Sequence, residues 1–300
     1  MPSAPNQHLS VFTALRARLF ALAYRMLGTR ADADDLVQDA WLRWQAIDIG
    51  PIVSPEAFLV TVATRLSLDR LRELAREREQ YVGWWLPEPL VEVDHATPEL
   101  AVERASEVSF ALVWMLQRLA VEERAAFLLR EVFDYDYADI AAVLEKSAAA
   151  CRQLVHRASE RVKLEQARFG APADQQQVLV AHFIAAAASG DQAGMKALMA
   201  QDVRLFADGG GKVNSFLRML RGAGRVAGVY WSLEHQNPGR VMYVPAQVNG
   251  APGVVRYVDG VIESVQSFLV EDGRIADTFI VRNPDKLRQV PPLRQMLAPV

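Results

Sequence analysis

The chain has 300 residues, of which 51% are hydrophobic and 23% are charged, and its formal net charge is −3. This length predicts two or three domains with real hydrophobic cores, and the single cysteine, Cys151, excludes an internal disulfide framework and a cysteine-rich zinc site. We expect a cytoplasmic protein with no metal, cofactor or membrane segment, because the longest apolar helical run, 178–188, is too short to cross a bilayer and the N-terminus lacks a signal-peptide pattern.

Two helices are predicted at the start of the chain. The first has a core-facing stripe at helical spacing, formed by Leu15, Leu19, Leu22, Ala23, Met26 and Leu27. Gly28 ends it and Thr29 caps the second helix. The second helix turns inward Leu36, Val37, Ala40, Trp41 and Trp44, and outward Asp35, Gln38, Asp39 and Arg43. The outward face is either a surface for a protein partner or a solvated face with an Asp39–Arg43 pair.

A third helix carries a charged face. Arg65, Asp69, Arg72 and Arg76 fall at i, i+4, i+7 and i+11, with Arg70 nearby. This face could follow a nucleic-acid backbone. Alternatively, Asp69 bridges Arg65 and Arg72, which is worth a few tenths of a kcal/mol.

The charge of the chain is unevenly distributed. Residues 88–104 hold five acids against one arginine, and Pro87, Pro89 and Pro98 prevent one continuous helix there, so this stretch is interpreted as a linker. Residues 146–163 hold five basic residues against Glu160. A local positive excess matters more for nucleic-acid binding than the net charge.

Residues 135–163 predict a helix-turn-helix, two short amphipathic helices joined by about three residues. Ser147 can cap the second helix, whose inner face is Cys151, Leu154, Val155, Ala158 and Val162. Its outer face carries Arg152, Gln153, His156, Arg157 and Arg161, with Lys146 at the entrance. These types can reach phosphates or base edges in a major groove, although a solvated surface helix has the same pattern.

The segment from residue 175 changes to short strands. Asn249-Gly250, Asp259-Gly260 and Asp272-Gly273 predict tight hairpins between extended segments at about 241–248, 254–258, 261–271 and 274–282. Two helices at about 175–189 and 191–200 precede them, which indicates an α+β domain with a helix-covered curved sheet.

Three stretches, 31–44, 58–72 and 123–133 followed by the helix-turn-helix, resemble in their order the extracytoplasmic-function (ECF) sigma factors, promoter-recognition subunits of bacterial RNA polymerase. The resemblance implies sigma domain two at 1–80, a linker at 81–104 and sigma domain four at 105–168, both domains all-α. An α+β domain at 175–290 follows, similar to the cone-shaped SnoaL-like fold. The expected partners are core RNA polymerase and promoter DNA, and the expected free state is a monomer.

The resemblance also assigns roles to residues. Polymerase binding falls to Asp35, Gln38, Asp39 and Arg43. Minus-10 binding falls to Arg65, Asp69, Arg70 and Arg72, with the loop 46–54 as the pocket for an unstacked base. Minus-35 binding falls to Lys146, Ser147, Arg152, Gln153, His156 and Arg157.

Three further motifs are similar to signatures of ECF sigma factors whose fused SnoaL-like domain replaces a separate anti-sigma factor. The implied regulatory interface consists of Trp85, Leu86 and Pro87; Asp208, Gly209, Gly210, Gly211 and Lys212; and Asn283, Pro284, Asp285, Lys286 and Leu287. An apolar segment in an acidic linker needs cover, and a glycine-rich loop allows close approach, so we expect the first two motifs to meet. The glycine loop could equally be a turn with no partner, and the segment that begins at Asn283 could equally be a plain turn.

Three residues depart from the family pattern. Trp84 replaces a usual proline, Glu145 a usual glycine and Ser159 a usual arginine; a left-handed Glu145 would cost about 1 kcal/mol.

The alternative functions are a one-component sensor whose C-terminal cone binds a small molecule, or an enzyme, for which the candidate acids and bases are Asp208, Asp277, His182 and His235. No pair of these has a spacing that fixes catalytic geometry, so no catalytic residue is predicted.

Overall fold

The structure is a computed structural model that describes residues 4–92, 109–166 and 172–297. The chain divides into two compact units. Among the described residues, the first unit holds 4–79 and 113–164, and the second holds 80–92, 109–112 and the chain from 165 to 297. Within these ranges every helix is too short or too polar to cross a membrane.

Three helices begin the first unit: α1 (Ala4–Leu27), α2 (Arg30–Gln45) and α3 (Pro55–Glu79). Gly28 has a φ of 83°, which ends α1, and the Thr29 hydroxyl accepts a hydrogen bond from the Asp32 amide at the start of α2. Trp44 is fully buried and its indole nitrogen donates to the His8 carbonyl at 3.0 Å. The predicted apolar stripes therefore form the core of this helical bundle.

Four more helices follow in the chain: α4 (Phe110–Leu116), α5 (Val121–Phe127), α6 (Tyr137–Leu144) and α7 (Ala148–Gln166). Helix α5 continues directly into a π-helical turn (Leu128–Val132). Asp136 caps α6 by accepting from the Ala138 and Asp139 amides at 2.8 Å. Ser147 caps α7 by accepting from the Ala150 amide at 3.1 Å. Three residues join α6 to α7, so the predicted helix-turn-helix is confirmed.

The second unit has an α+β fold, as the sequence predicts. Its helices are α8 (Ala173–Ser189), α9 (Gln192–Ala197) and α10 (Ala223–Gln236), followed by a 3-10 turn (Pro284–Leu287) and α11 (Leu293–Met296). Its strands are β1 (Val91–Glu92), β2 (Met199–Asp208), β3 (Leu220–Arg221), β4 (Val241–Val248), β5 (Ala251–Val258), β6 (Val261–Glu271) and β7 (Arg274–Val281). They form one sheet in the order β1-β4-β5-β6-β7-β2-β3.

The hairpin prediction is confirmed at all three turns. Asn249 and Gly250 have φ values of 52° and 69°, Asp259 and Gly260 have 51° and 76°, and Asp272 and Gly273 have 49° and 70°. This is the type I′ geometry that matches the twist of the flanking strands. Register shifts in the β2–β7, β5–β6 and β6–β7 pairs add local bends, and such bulges curve a sheet.

Both faces of the sheet are covered. On one face, Leu205 and Ala207 of β2 join the helices in a core that includes Phe183 and Tyr230. The alternate residues point the other way, where Phe206 stacks on Phe279 of β7 at 5.6 Å and meets Trp84 of the linker at 5.0 Å. The linker thus supplies a second layer over part of the sheet, where Phe110 of α4 also packs against Phe279 with ring centroids 5.7 Å apart.

One predicted boundary needs correction, and some elements of the second unit were not predicted. The second helix after residue 175 was placed at 191–200, but it ends at Ala197 and the chain enters β2 at Met199. Strand β2 and helix α10 were not predicted at all. The acidic residues Asp94, Glu99 and Glu103 of the predicted linker lie outside the described residues.

The turn of the helix-turn-helix contains a strained residue. Glu145 has φ 55° and ψ 43°, the left-handed conformation anticipated for it. We predict that Glu145→Gly is more stable than Glu145→Ala by about 1 kcal/mol, because both lose the same side chain but only glycine adopts this conformation without steric cost. Thermal unfolding of the two full-length variants measures the difference, and equal midpoints would contradict it.

Candidate nucleic-acid interface and linker junction

The second helix of the helix-turn-helix has the two faces that the sequence predicts. Its inner face is buried: Cys151, Leu154, Val155, Ala158 and Val162. Its outer face is exposed: Arg152, Gln153, His156, Arg157 and Arg161. The Arg152 guanidinium lies 5.6 Å from the centroid of the Tyr137 ring. The helix therefore presents a cationic, hydrogen-bonding surface of the kind that enters a major groove.

Two of these cations are held by one acid. Arg157 and Arg161 each lie 2.8 Å from a different oxygen of Glu123, whose side chain is only 6% exposed. Burial works to raise the pKa of Glu123, but the two guanidinium groups outweigh it and lower that pKa. Lys146 is likewise paired, with Glu122 at 3.0 Å. These pairs could not be predicted from local spacing, because both acids precede the helix-turn-helix in the chain.

The charged face of α3 is exposed at Arg65, Asp69, Arg72 and Arg76. Of the two ion pairs expected of Asp69, the one with Arg72 forms, at 2.7 Å, whereas Arg65 interacts with other residues. Arg70 is held by Asp32 at 2.8 Å.

Arg65 joins the two nucleic-acid candidates of the first unit. It donates to the Ala142 and Val143 carbonyls at the end of α6, at 3.1 and 3.3 Å, and lies 3.2 Å from the Glu145 carboxylate. Cations are favoured at such a helix C-terminus. Arg65 is therefore occupied by the helix-turn-helix in this arrangement.

The polar face of α2 is open. Asp35, Gln38, Asp39 and Arg43 are all exposed. The Asp39–Arg43 pair of the alternative interpretation does not form among the described residues. A free mixed-charge face fits a protein partner at least as well as a purely solvated helix.

In the second unit, the three quoted motifs meet around one buried carboxylate. Asp208 is fully buried and accepts hydrogen bonds from the Leu86 amide at 2.9 Å and from the Tyr81 hydroxyl. Lys286 lies 2.8 Å from the same carboxylate, and Asn283 donates to the Tyr81 oxygen at 2.9 Å. We call these five residues, Tyr81, Leu86, Asp208, Asn283 and Lys286, the buried junction.

Lys286 is itself nearly buried, at 5% exposed. Besides Asp208 it donates to the Leu86 carbonyl, and its ammonium lies 3.6 Å from the centroid of the Trp85 ring. Burial and the Asp208 charge raise the pKa of Tyr81 far above its usual value, so the phenol remains a donor. The junction thus neutralises every charge that it buries.

The remaining motif residues surround the junction. Pro87 and Leu287 are buried, Pro284 begins the 3-10 turn, and Asn283 caps that turn at the Asp285 amide. Lys212 and Asp285 form an exposed ion pair. Sequence analysis did not assign a role to Tyr81, although it lies only four residues before the linker motif of Trp85, Leu86 and Pro87.

The glycines of the loop permit this approach. A Cβ on Gly209 would lie 2.6 Å from the Val213 carbonyl oxygen, and one on Gly210 would overlap Asn283. Gly211 has a φ of 70° and faces Val82 of the linker. The expected meeting of glycine loop and linker motif is observed.

The four candidate acids and bases do not converge. Asp208 is paired with Lys286, and Asp277 is held bidentately by Arg204 at 2.6 and 2.5 Å. His182 and His235 are exposed. These four side chains assemble no catalytic pair.

Comparisons with known proteins agree with this architecture. The chain matches the family Sigma-70 region 2 over residues 11–77 and the family Sigma-70, region 4 over residues 110–162. It is 37% identical to the ECF RNA polymerase sigma factor SigJ of Mycobacterium tuberculosis, over 94% of each chain. It is 32% identical to the "Probable ECF RNA polymerase sigma factor SigI" of the same organism, over 94% of this chain and 96% of that protein.

The likeness extends to three dimensions. The crystal structure of SigJ superposes with a TM-score of 0.77 at 36% identity and covers 93% of this chain and 98% of that one. The fold and the paired regions define a transcription initiation factor with a fused C-terminal domain. The chain belongs to the ECF RNA polymerase sigma factors, and its partners are core RNA polymerase and promoter DNA.

The glycine loop yields a stability prediction. Gly210→Ala should destabilise the chain by about 1 kcal/mol for the left-handed backbone and by a further 1 to 3 kcal/mol, roughly, for the overlap with Asn283. Gly239→Ala is the matched control, because Gly239 has a φ of 70° with nothing within 4 Å of the added Cβ. Thermal unfolding compares them, and an equal loss would show that the loop can withdraw from Asn283 without cost.

Proposed function

We propose that the C-terminal domain controls this sigma factor through the buried junction, and that its sigma domains work through three separate surfaces. The proposed domain limits are 1–80 and 105–168 for the sigma domains, 81–104 for the linker and 175–290 for the regulatory domain. The observation that carries the control is the buried Lys286–Asp208 pair bonded to the linker backbone at Leu86.

The junction acts on the linker. By sequence, the linker is the only covalent connection between the two sigma domains, so whatever fixes its first half limits the arrangements that they can reach. A fused domain needs little intrinsic affinity for this, because tethering gives an effective concentration of roughly millimolar. No separate anti-sigma factor is then required.

The proposed promoter-binding surfaces follow the exposed cations. Minus-35 recognition falls to Arg152, Gln153 and His156, with Lys146 and Ser147 at the turn and Arg157 as a brace against phosphate. Minus-10 binding falls to Arg65, Asp69, Arg70 and Arg72. Because Arg65 now bonds the end of α6, use of this face requires it to exchange those bonds for DNA.

The proposed regulation is tested by a variant in which both charged side chains of the buried junction are replaced by neutral ones. We predict that the double variant Asp208→Asn/Lys286→Met transcribes at least about threefold more than the unmodified chain in run-off assays with core polymerase, because the linker is released. Changing both partners avoids the cost of about 3 to 5 kcal/mol that one unpaired buried charge would bring.

The matched control is Asp285→Asn/Lys212→Met, which removes an exposed ion pair from the same two motifs. It should leave both output and thermal stability nearly unchanged. Transcription of the junction variant at the level of the unmodified chain, with the protein folded, would rule out the proposed control.

The polymerase surface is tested by charge reversal. Asp39→Lys should weaken holoenzyme formation through repulsion from a basic surface of the polymerase, whereas Asp174→Lys, an exposed reversal on α8, should not. Co-purification with core enzyme measures both. If Asp39→Lys co-purifies normally, the α2 face is not the docking surface.

The minus-35 surface is tested at Arg152. Arg152→Ala should weaken promoter binding by about 1 to 3 kcal/mol if the guanidinium contacts a guanine bidentately, and the loss should disappear when that base is changed. Binding of a set of single-base promoter variants measures this. An equal loss on every sequence would assign Arg152 to a phosphate instead.

A ligand-sensing version of the same control is the second candidate. It is favoured by a cavity in the C-terminal domain whose lining residues adjoin the junction residues in the chain.

A further inference from the structure

The C-terminal domain contains a cavity of about 620 Å³. Its walls come from α10, the segment 214–216 and strands β2, β6 and β7, and they are mainly apolar, with Ala207, Phe216, Val229, Leu233 and Ile280. Small-molecule sites commonly have volumes of roughly 300–1,000 Å³ with mostly apolar linings. The cavity is therefore large enough for a small organic molecule with an apolar body.

The polar part of the wall has an excess of positive charge. Glu263 is held between Arg256, at 2.7 Å, and Arg282. Burial works to raise the pKa of Glu263, but the charges of Arg282 and Arg256 outweigh it and lower that pKa, so this acid is ionised and already paired. Two cations thus face one carboxylate.

A third cation stands at the exposed edge of the cavity. Arg225 of α10 is solvent-exposed and makes no ion pair within the part of the chain that the structure describes. Arg256 and Glu234 lie near this cluster but do not line the cavity. Among the charged lining residues, Arg225 and Arg282 exceed Glu263 by one positive charge, and counting both Arg256 and Glu234 leaves the same excess.

Two hydrogen-bonding groups of lining residues have no partner. The Nε of Arg282 and the Oγ of Ser215 are buried, and neither forms a hydrogen bond with a described residue. A buried donor without a partner costs about 1–3 kcal/mol, which an acceptor on a ligand would recover. Both groups can donate, as the Arg225 guanidinium can, and donors favour an anionic acceptor.

We propose that this cavity binds an amphipathic anion, a small molecule with an apolar body and one carboxylate or similar acidic group. The apolar body fills the space between Val229, Leu233 and Ile280. The acidic group is bound by Arg225 at the edge and by the free donors of Arg282 and Ser215.

The cavity is connected to the buried junction through neighbouring residues. Ala207 lines the cavity and the next residue, Asp208, faces the linker, because successive side chains of a strand point to opposite faces. Arg282 and Asn283 have the same relation at the end of β7. A ligand that moves Arg282 therefore acts on the junction through one peptide bond, and this coupling, unlike binding itself, rests on the proposed function.

Two fluorescent probes with the same aromatic body test the binding. 8-Anilino-1-naphthalenesulfonate carries an acidic group, and N-phenyl-1-naphthylamine is the same body without it. With the full-length protein, we expect Arg225→Gln to weaken binding of the sulfonate by roughly fivefold or more, because a charge-assisted hydrogen bond is lost, and to leave the neutral probe unchanged. Arg274→Gln, an exposed arginine at the far end of β7, should affect neither probe.

Filling the cavity should abolish binding of both probes. Ser232→Trp and, independently, Val229→Trp place an indole in the space, and thermal unfolding shows which variant is folded. Probe fluorescence that survives in a folded cavity-filled variant would place the probe elsewhere and overturn the site. Equal effects of Arg225→Gln on both probes would overturn the preference for an anion.

The coupling has its own measurement. Saturating sulfonate should change the hydrogen exchange of the peptide containing Leu86, whose amide is bonded to Asp208. If hydrogen exchange of this peptide is unchanged at full occupancy, the cavity is not coupled to the junction, but the binding site still stands. If the junction variant does not alter transcription, the proposed control fails and the coupling loses its regulatory role, but the binding site still stands.

Discussion

The C-terminal part of this sigma factor depends on the burial of a single carboxylate. A fully buried charge is unfavourable unless it is paired and hydrogen-bonded. Asp208 accepts hydrogen bonds from the Leu86 amide, the Gly210 amide, the Tyr81 hydroxyl and the Lys286 ammonium. These donors come from the linker segment, the glycine loop and the segment 283–287. Removing any one partner leaves polar groups without compensation, so the motifs are constrained together and not separately.

This constraint explains the composition of the motifs. The glycines must be glycines because the backbone passes against Asn283 and Val82. Asn283 must both cap the 3-10 turn and reach Tyr81, which a short amide side chain can do. Lys286 is long enough to span from the turn to the Leu86 carbonyl while its ammonium rests on the Trp85 ring.

Local signals in the sequence predicted the parts of the fold that local physics determines. The three hairpins follow from dipeptides that accept positive φ at both central positions. The helix-turn-helix follows from helical spacing and the Ser147 cap. Strand β2 was missed because it lacks a regular alternation: its exposed residues Gln201 and Asp202 are adjacent, and residues 205–208 are all buried. Helix α10 was missed because its glycines and β-branched residues have low helix propensity, so packing stabilises it.

For the candidate sites, the sequence predicted the helix face on which each side chain lies, but not the residues that it contacts. Spacing placed Arg65 and Arg157 on exposed faces, but their partners, the end of α6 and Glu123, lie 77 and 34 residues away in sequence. Such ion pairs depend on the packing of helices and not on any local pattern. The meeting of glycine loop and linker was predictable because an apolar segment needs cover, whereas the ionic centre beneath it was not.

The short strand β1 also protects the sheet from other molecules. Val91 and Glu92 pair with Val248 and Gln247, so linker residues cover the free edge of β4 over part of its length. An uncovered strand edge presents unpaired amides and carbonyls, which recruit strands of other chains. A C-terminal domain separated from its linker would expose that edge, and its solubility when produced alone would therefore depend on residues that sequence divisions assign to the linker.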